Sequence, residues 1–283
     1  MLFDGKLVRE ELLKDLKKKY KKIKVGLAVI QVGNDFASCK YIAQKEKLAN
    51  ELGVEFRLIK FDKINTKKLC DEIDKLNNDD NIQGIIVQLP IPNDIDYEII
   101  RNKIDPNKDI DGVNDVNIIR LFNGSDDALI PCTALGIMRI LDFYKIDLKG
   151  MDITIIGRSI HIGKALYSLL LNRDATVTIC HSKTKDLAKH TKSSDMVITS
   201  VGKANFIKQD MVKDDVILVD VGFNYLDGKI CGDVSKDVSK YKYLTPVPGG
   251  VGQMTVYSIY DNLLKAYKLG KKNDKKNDKK NNK

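Results

Sequence analysis

Residues 157–164, GRSIHIGK, have the types and spacing to hold a nucleotide phosphate. An apolar run ends at Gly157; Arg158 and Ser159 follow, then Gly163, Lys164 and an apolar helical pattern. A strand, a tight glycine turn and a helix N-terminus together present backbone N–H groups and a positive dipole to a pyrophosphate. Five residues separate Gly157 from Gly163, and Ala165 replaces the hydroxyl that would meet Mg²⁺, so an ATPase phosphate loop does not fit. The G-x-G-x-x-G fingerprint is also incomplete, and a plain strand–helix turn stays open on the loop alone. The next strand-like segment ends in Cys180, His181, Ser182 and Lys183, with no carboxylate before Asp186. An NAD site would place an acid there for the ribose 2′-hydroxyl. A guanidinium at Arg158 and a hydroxyl at Ser182 suit a 2′-phosphate instead, which favours NADP.

Tyr41 and Lys45 are a second candidate pair. Four residues apart, they share one face of a predicted helix. On so Lys-rich a helix, that spacing alone usually reads as a solvated face. The segment TPVPGGVG (245–252) reads as a loop that lets backbone approach a ligand, or as an ordinary connector. In DPNKDIDGVND, residues Asn107, Asp109, Asp111 and Gly112 mimic the start of a calcium loop. Position 12 would be Ile118, not the bidentate Glu such a loop needs. His161, His181 and His190 are not spaced as metal ligands, and no metal is expected.

Strand-like and helix-like stretches alternate along most of the chain. Strands are expected at 24–33, 54–61 and 82–90, with helices over 37–53 and from Thr66, read as an N-cap. A helix over 132–146 leads to a second series, with strands near 151–157, 175–182, 196–202 and 216–224 and helices at 163–172 and 184–192. The pattern predicts two α/β domains with mostly parallel sheets joined by right-handed crossovers. A closing helix over 256–267 is expected to pack back on the first half.

The 283 residues are 43% hydrophobic and 31% charged, an ordinary globular composition. No apolar run is long enough to span a bilayer, so no membrane is expected as a partner. Five single cysteines, without a C-x-x-C, suit reduced thiols and a cytoplasmic setting. The net charge of +9 hints at nucleic acid, but the tail 271–283 alone supplies +5 from seven lysines and two aspartates. That tail is expected to be disordered and solvated, and no nucleic-acid partner is expected; a basic arm on a non-catalytic binding protein is the competing reading.

Taken together, VGNDFASCKYIAQKEKLANELG, GIIVQLPIP, DPNKDIDGVN, PCTALGI, GRSIHIGKAL, ATVTICHSKT, VDVGFN and TPVPGGVGQMT occur in the order seen in one family. From residue 1 to about 268 the chain resembles the bifunctional methylenetetrahydrofolate dehydrogenase/methenyltetrahydrofolate cyclohydrolases. The resemblance implies a folate-binding catalytic domain from residues 1–130 and 250–270. It implies a Rossmann-like NADP-binding domain over 131–249, with the active site in the cleft between them. It assigns Tyr41, Lys45, Gln88 and Asp111 to catalysis. Those four, with Val87, Leu89 and the loop Pro248, Gly249, Gly250, Val251 and Gly252, bind the folate. Gly157, Arg158, Ser159, Ser182 and Phe223 line the NADP site. It also implies a homodimer, tetrahydrofolate one-carbon derivatives as substrates, and a supply of one-carbon units to purine, histidine and methionine synthesis. Ala134, Ala165 and Gln253 stand where the family usually has proline, which relaxes stiffness without removing a functional group.

These residue types suit such chemistry. Nitrogen lone pairs of the methylene folate push hydride from the bridging carbon, so the oxidation mainly needs the two rings held face to face. Hydrolysis of the methenyl cation needs a group that takes a proton from water. Lys45 could do so near neutrality if its pKa fell from ~10.4 towards ~7–8. Gln88 would orient the amine without a carboxylate's stabilisation of its ammonium form, and Asp111 could accept from the pterin N–H groups. A dehydrogenase without the hydrolase step is the nearest rival, and Lys45 with Gln88 argues against it.

Overall fold

The computed structural model describes residues 1–281, and of residues 273–281 only their place in the last helix. In chain order the first elements are α1 (Gly5–Tyr20), β1 (Gly26–Val32), α2 (Phe36–Leu52) and β2 (Glu55–Phe61). Then come α3 (Thr66–Asn77), β3 (Gly84–Val87), α4 (Tyr97–Lys103), α5 (Asp115–Phe122) and α6 (Cys132–Phe143). The second series runs β4 (Asp152–Ile156), α7 (Gly163–Leu171), β5 (Thr176–Cys180), α8 (Leu187–Thr191), β6 (Met196–Thr199) and β7 (Val216–Asp220). It closes with β8 (Asn224–Leu226), β9 (Lys229–Cys231), β10 (Tyr241–Leu244) and α9 (Val251–Asn281).

The chain divides into two compact units, so the expected α/β class with parallel sheets is present. Residues 13–120, 125–130 and 259–283 form one, around a parallel sheet ordered β2–β1–β3. β1 is central and buried along its whole length, which is why it is nearly all apolar. Ala28, Ile30, Val32, Ile85 and Val87 face a cluster with Leu69, Ile73 and Leu76 of α3 and Ile100 of α4. The opposite face meets α9: a Cβ at Gly84 would lie 2.8 Å from Leu263 Cδ1, so only glycine lets the helix this close. Asp35 caps α2 by accepting from Ser38 N–H at 2.8 Å. Asn65, not Thr66, caps α3; its side chain accepts from Lys68 N–H, while Thr66 Oγ1 accepts from Asp96 N–H. Both residues are good caps, and the tertiary contact claims the threonine.

Residues 1–12, 121–124 and 131–258 form the other unit, around a parallel sheet ordered β10–β7–β6–β4–β5. Counted from its own first strand, the order is that of flavodoxin-like doubly wound sheets, and connections depart in opposite directions from neighbours β4 and β6. β8 and β9 make a short antiparallel hairpin beyond β7.

The unit boundaries differ from the expected domains at residues 1–12, 121–124 and 250–258. Met1–Leu12 belongs with the five-stranded sheet, because Phe3 N–H donates to Leu244 O at 2.8 Å and Leu244 N–H to Met1 O at 3.1 Å. The Phe3 ring also stacks on Tyr243 at 4.5 Å. Backbone at the start of the chain thus extends the edge of β10. Residues 250–258 go with the same unit, where Gly136 packs against Met254. The expected disorder does not begin at residue 271. Helix α9 continues through Lys271 and Lys272, since extending an anchored helix needs no new nucleus. Residues 282–283 of that tail lie outside the described residues.

Candidate active site

In the three-stranded unit, the side chains at the C-terminal ends of β1 and β3 meet α2. Lys45 faces inward and is 7% exposed, one turn from half-buried Tyr41, so the pair does not make the solvated face that spacing allowed. Lys45 Nζ donates to Gln88 Oε1 at 2.7 Å. Gln88 Nε2 donates to Leu89 O at 2.7 Å, which settles the amide's orientation and turns its carbonyl to the amine. Ser38 Oγ donates to the same Leu89 carbonyl at 2.9 Å, tying α2 to the segment after β3. The Tyr260 hydroxyl of α9 donates to Lys45 O, and Tyr20 donates to Tyr260 O at 2.7 Å. Burial pushes the Tyr260 hydroxyl well above the usual tyrosine range, so it stays a donor. Three helices therefore fix the backbone that carries Lys45.

Val87 is buried in the α3–α4 cluster, so its side chain belongs to the core and only its backbone is placed at the strand end. Asp111 is half-buried in a turn whose frame is Asp109. Asp109 is fully buried and accepts from Gly112 N–H at 3.1 Å, Asn114 N–H at 2.8 Å and Asn117 Nδ2 at 2.9 Å. Burial pushes its carboxyl up to about 7, against the pull of those donors. The first acid of KDIDG is thus spent on the turn. No group of three or more His, Cys, Asp or Glu among the described residues could hold a metal ion.

In the five-stranded unit the phosphate candidate lies at the switch between β4 and β6, where doubly wound sheets take their ligands. Gly157 N–H donates to Cys180 O at 2.9 Å, which puts Arg158 beside the segment His181–Ser182 after β5. Gly157 has φ 132°. A Cβ at Gly163 would stand 2.1 Å from Gly157 O. Both glycines are therefore required by close backbone packing, and no side chain caps the N-terminus of α7. Arg158, Ser159 and Ser182 are exposed. Phe223, also exposed, stands edge-on to Tyr225 at 5.6 Å. This cradle fits a dinucleotide pyrophosphate, with polar groups free to turn toward a ribose phosphate.

The 248–252 loop belongs to this unit. Pro248 is exposed, Gly249 has φ 112°, and Gly250 and Val251 are buried at the head of α9, while nothing crowds Gly252. Its residues are not in the unit that holds Lys45 and Gln88.

The sequence reading missed a buried carboxylate hub beside the cradle. Asp233 accepts from Val201 N–H at 2.7 Å, Lys203 N–H at 2.9 Å and Asn224 Nδ2 at 3.0 Å. Asp220 accepts from Gly222 and Asp233 N–H at 2.9 Å and from Val234 N–H at 2.8 Å. Burial pushes Asp220 up to about 6. Apolar flanks around VDVG and GDV were the available signal. The three missing prolines share one setting, since Ala134, Ala165 and Gln253 each lie in the first turn of α6, α7 or α9. Gln253 N–H donates to Gly250 O at 3.1 Å, a bond proline could not make.

A glycine-built cradle at the switch point of one unit and an amine–amide pair in the other suit a nucleotide-binding α/β enzyme. Residues 3–111 match the catalytic domain of tetrahydrofolate dehydrogenase/cyclohydrolase, and residues 131–271 match its NAD(P)-binding domain. The chain belongs to the tetrahydrofolate dehydrogenase/cyclohydrolase family. It is 45% identical over 276 residues to the bifunctional protein FolD of Nautilia profundicola, covering 94% of this chain and 97% of that one. The crystal structure of the Campylobacter jejuni bifunctional FolD enzyme superposes with a TM-score of 0.92 at 41% identity, over 95% of this chain and 99% of that one. The FolD of Trypanosoma brucei, solved with NADP and an inhibitor, gives 0.88 at 31% identity, over 95% and 98%. The chain is thus a bifunctional enzyme that oxidises 5,10-methylenetetrahydrofolate with NADP and hydrolyses the methenyl product to 10-formyltetrahydrofolate.

Proposed function

We propose that Lys45 takes the proton from the water that attacks the methenyl carbon. Gln88 aims the amine, Tyr41 stacks on the aminobenzoyl ring, and Asp111 accepts from the pterin N–H groups. The observation that carries this reading is the part-buried 2.7 Å bond from Lys45 Nζ to Gln88 Oε1. A neutral amide accepts from the amine without the charge pairing a carboxylate would add, so it does not lock Lys45 as an ammonium ion. NADP, when bound, accepts the hydride leaving the methylene bridge. Gly157 and Gly163 give its pyrophosphate room, Arg158 and Ser182 take the 2′-phosphate, and Ser159 and Phe223 line the rest. Val87 and Leu89 contribute backbone to the folate, and Pro248, Gly249, Gly250, Val251 and Gly252 cover it. In domain terms, residues 1–130 and 250–270 serve the folate and 131–249 the nucleotide.

Lys45→Gln tests the central role. Methenyl hydrolysis should fall by a factor on the order of 10²–10⁴, with part of the hydride transfer retained. Equal loss of both activities would leave Lys45 only structural. Arg158→Ala should raise the KM for NADP about tenfold and leave NAD nearly untouched; equal effects on the two would remove the 2′-phosphate assignment. We further infer a cytoplasmic homodimer that feeds 10-formyltetrahydrofolate to purine, histidine and methionine synthesis. Sedimentation of the full chain at micromolar concentration tests the dimer.

A further inference from the structure

Asp233 is completely buried, yet both its oxygens are crowded with donors from the segments that follow β6 and β7. Its Oδ2 accepts from Thr199 Oγ1 at 3.2 Å, Val201 N–H at 2.7 Å and Gly202 N–H at 3.3 Å. Its Oδ1 accepts from Lys203 N–H at 2.9 Å and Asn224 Nδ2 at 3.0 Å. The carboxylate therefore gathers the turn that leaves β6 and ties it to the chain beyond β7. Gly222 permits so close an approach, because a Cβ there would stand 2.2 Å from Asp233 Oδ1. On its outer side the same turn is open, with Gly202 and Lys203 exposed. It also borders the phosphate cradle: Ser200 N–H donates to Ile156 O at 2.9 Å, and Ser200 O would meet a Gly157 Cβ at 2.8 Å. The turn after β6 is thus a second wall beside the glycine turn after β4, and Asp233 is fixed behind it.

We infer that Asp233 is a positioning residue for the nicotinamide half of NADP, holding from inside the 200–203 wall on which that half lies. This rests on the proposed seat of the 2′-phosphate at Arg158 and Ser182. The sheet places β4 between β6 and β5. With the adenosine phosphate on the β5 side and the pyrophosphate at the head of α7, the rest of the dinucleotide extends to the β6 side. There it meets the backbone that Asp233 holds. Neither oxygen of Asp233 can be spared. In Asp233→Asn one of them becomes an NH₂ group, and whichever way the amide turns, that group faces N–H donors. The wall should loosen, while the glycine turn keeps its own anchor, Gly157 N–H on Cys180 O.

The test is calorimetric binding to the full-length enzyme of two nucleotides, NADP and 2′,5′-ADP, which carries the adenosine half and its 2′-phosphate but no nicotinamide. Asp233→Asn should raise the Kd for NADP about tenfold, the worth of one hydrogen bond to a charged group, and leave that for 2′,5′-ADP within about twofold. Should this variant fold poorly, Thr199→Val carries the test, since it removes one donor and keeps the side chain's shape; the same split is then expected at about threefold. Affinity lost equally for both nucleotides would make Asp233 a frame for the whole cradle and overturns the inference, as does unchanged NADP binding. Arg158→Ala in the same titrations separates the two ideas. If 2′,5′-ADP still binds that variant normally, the seat of the 2′-phosphate is wrong. If that binding is lost there while Asp233→Asn treats both nucleotides alike, only the role of Asp233 fails.

Discussion

The two units build their sites from different materials. In the three-stranded unit the candidate chemistry is carried by a buried amine and half-buried side chains around it, held by named partners: Lys45 on Gln88, Gln88 on Leu89 O, Lys45 O on Tyr260. In the five-stranded unit it is carried by backbone shape, and Arg158, Ser159 and Ser182 stand exposed around it. The difference follows from the tasks. A proton transfer needs one amine held to a fraction of an ångström, so its position is over-determined by hydrogen bonds. A pyrophosphate is met by N–H groups and a helix dipole, which any sequence supplies once glycine lets the chain turn tightly enough. Substitutions should therefore act on the folate reactions in the first unit and on cofactor affinity in the second.

The strongest break of this contrast comes from adding a single carbon. Gly163→Ala places a Cβ about where Gly157 O stands, 2.1 Å from the ideal position, and backbone has nowhere to yield. The KM for NADP should rise on the order of a hundredfold, while hydrolysis of added methenyltetrahydrofolate, which needs no nucleotide, stays near normal. An equal loss of hydrolysis would mean that the cradle's shape also supports the other site. A smaller effect is expected from Asp109→Asn. The amide keeps one acceptor but turns an NH₂ group toward N–H donors at Gly112, Asn114 or Asn117, so the turn bearing Asp111 loosens. The folate KM should rise about tenfold for both reactions, with the NADP KM unchanged. If only NADP binding moved, Asp109 would belong to the wrong half of the comparison.

The same contrast governs what could be read from residues alone. The glycine cradle was legible because backbone demands appear as residue identity: only glycine tolerates those positions, and the missing acid after β5 is visible directly. The α/β alternation was legible for the same reason, since β1, β3 and β4 are apolar runs bounded by turns. Lys45 was not legible by itself, because i, i+4 spacing on a Lys-rich helix usually marks a solvated face; only the motif order pointed the other way. The Asp220–Asp233 hub was missed because its members lie thirteen positions apart and acquire meaning only when β7 and the segment after β9 meet. Helices α4 and α5 were missed because seven and eight residues are too few to show a period.

The hub offers the finest test, because it is the place where the five-stranded unit does use buried side chains, and it uses them on the frame. Burial holds Asp220 at about 6, above the ordinary carboxylate value near 3.9. Between those two values the folded chain keeps a proton that the unfolded chain has lost, so stability falls as pH rises from about 4 to about 6 and levels off above that. Carboxylates held low by partners, such as Asp79 beside Arg57 and Asp195 beside Lys213, act in the opposite direction, so the wild-type curve shows only the sum. Asp220→Asn removes one contribution. The variant should be less stable at every pH for want of an acceptor toward Gly222, Asp233 or Val234. Its deficit against wild type should shrink as pH rises from 4 to 6, by an amount on the order of 2 kcal/mol. Urea midpoints at closely spaced pH values measure this directly. A deficit that failed to shrink would mean that the N–H bonds donated to Asp220 offset or outweigh its burial, so that it ionises as readily as in the unfolded chain. In that case the frame would be held by a charge, unlike the turn at Asp109, whose carboxyl burial pushes up to about 7.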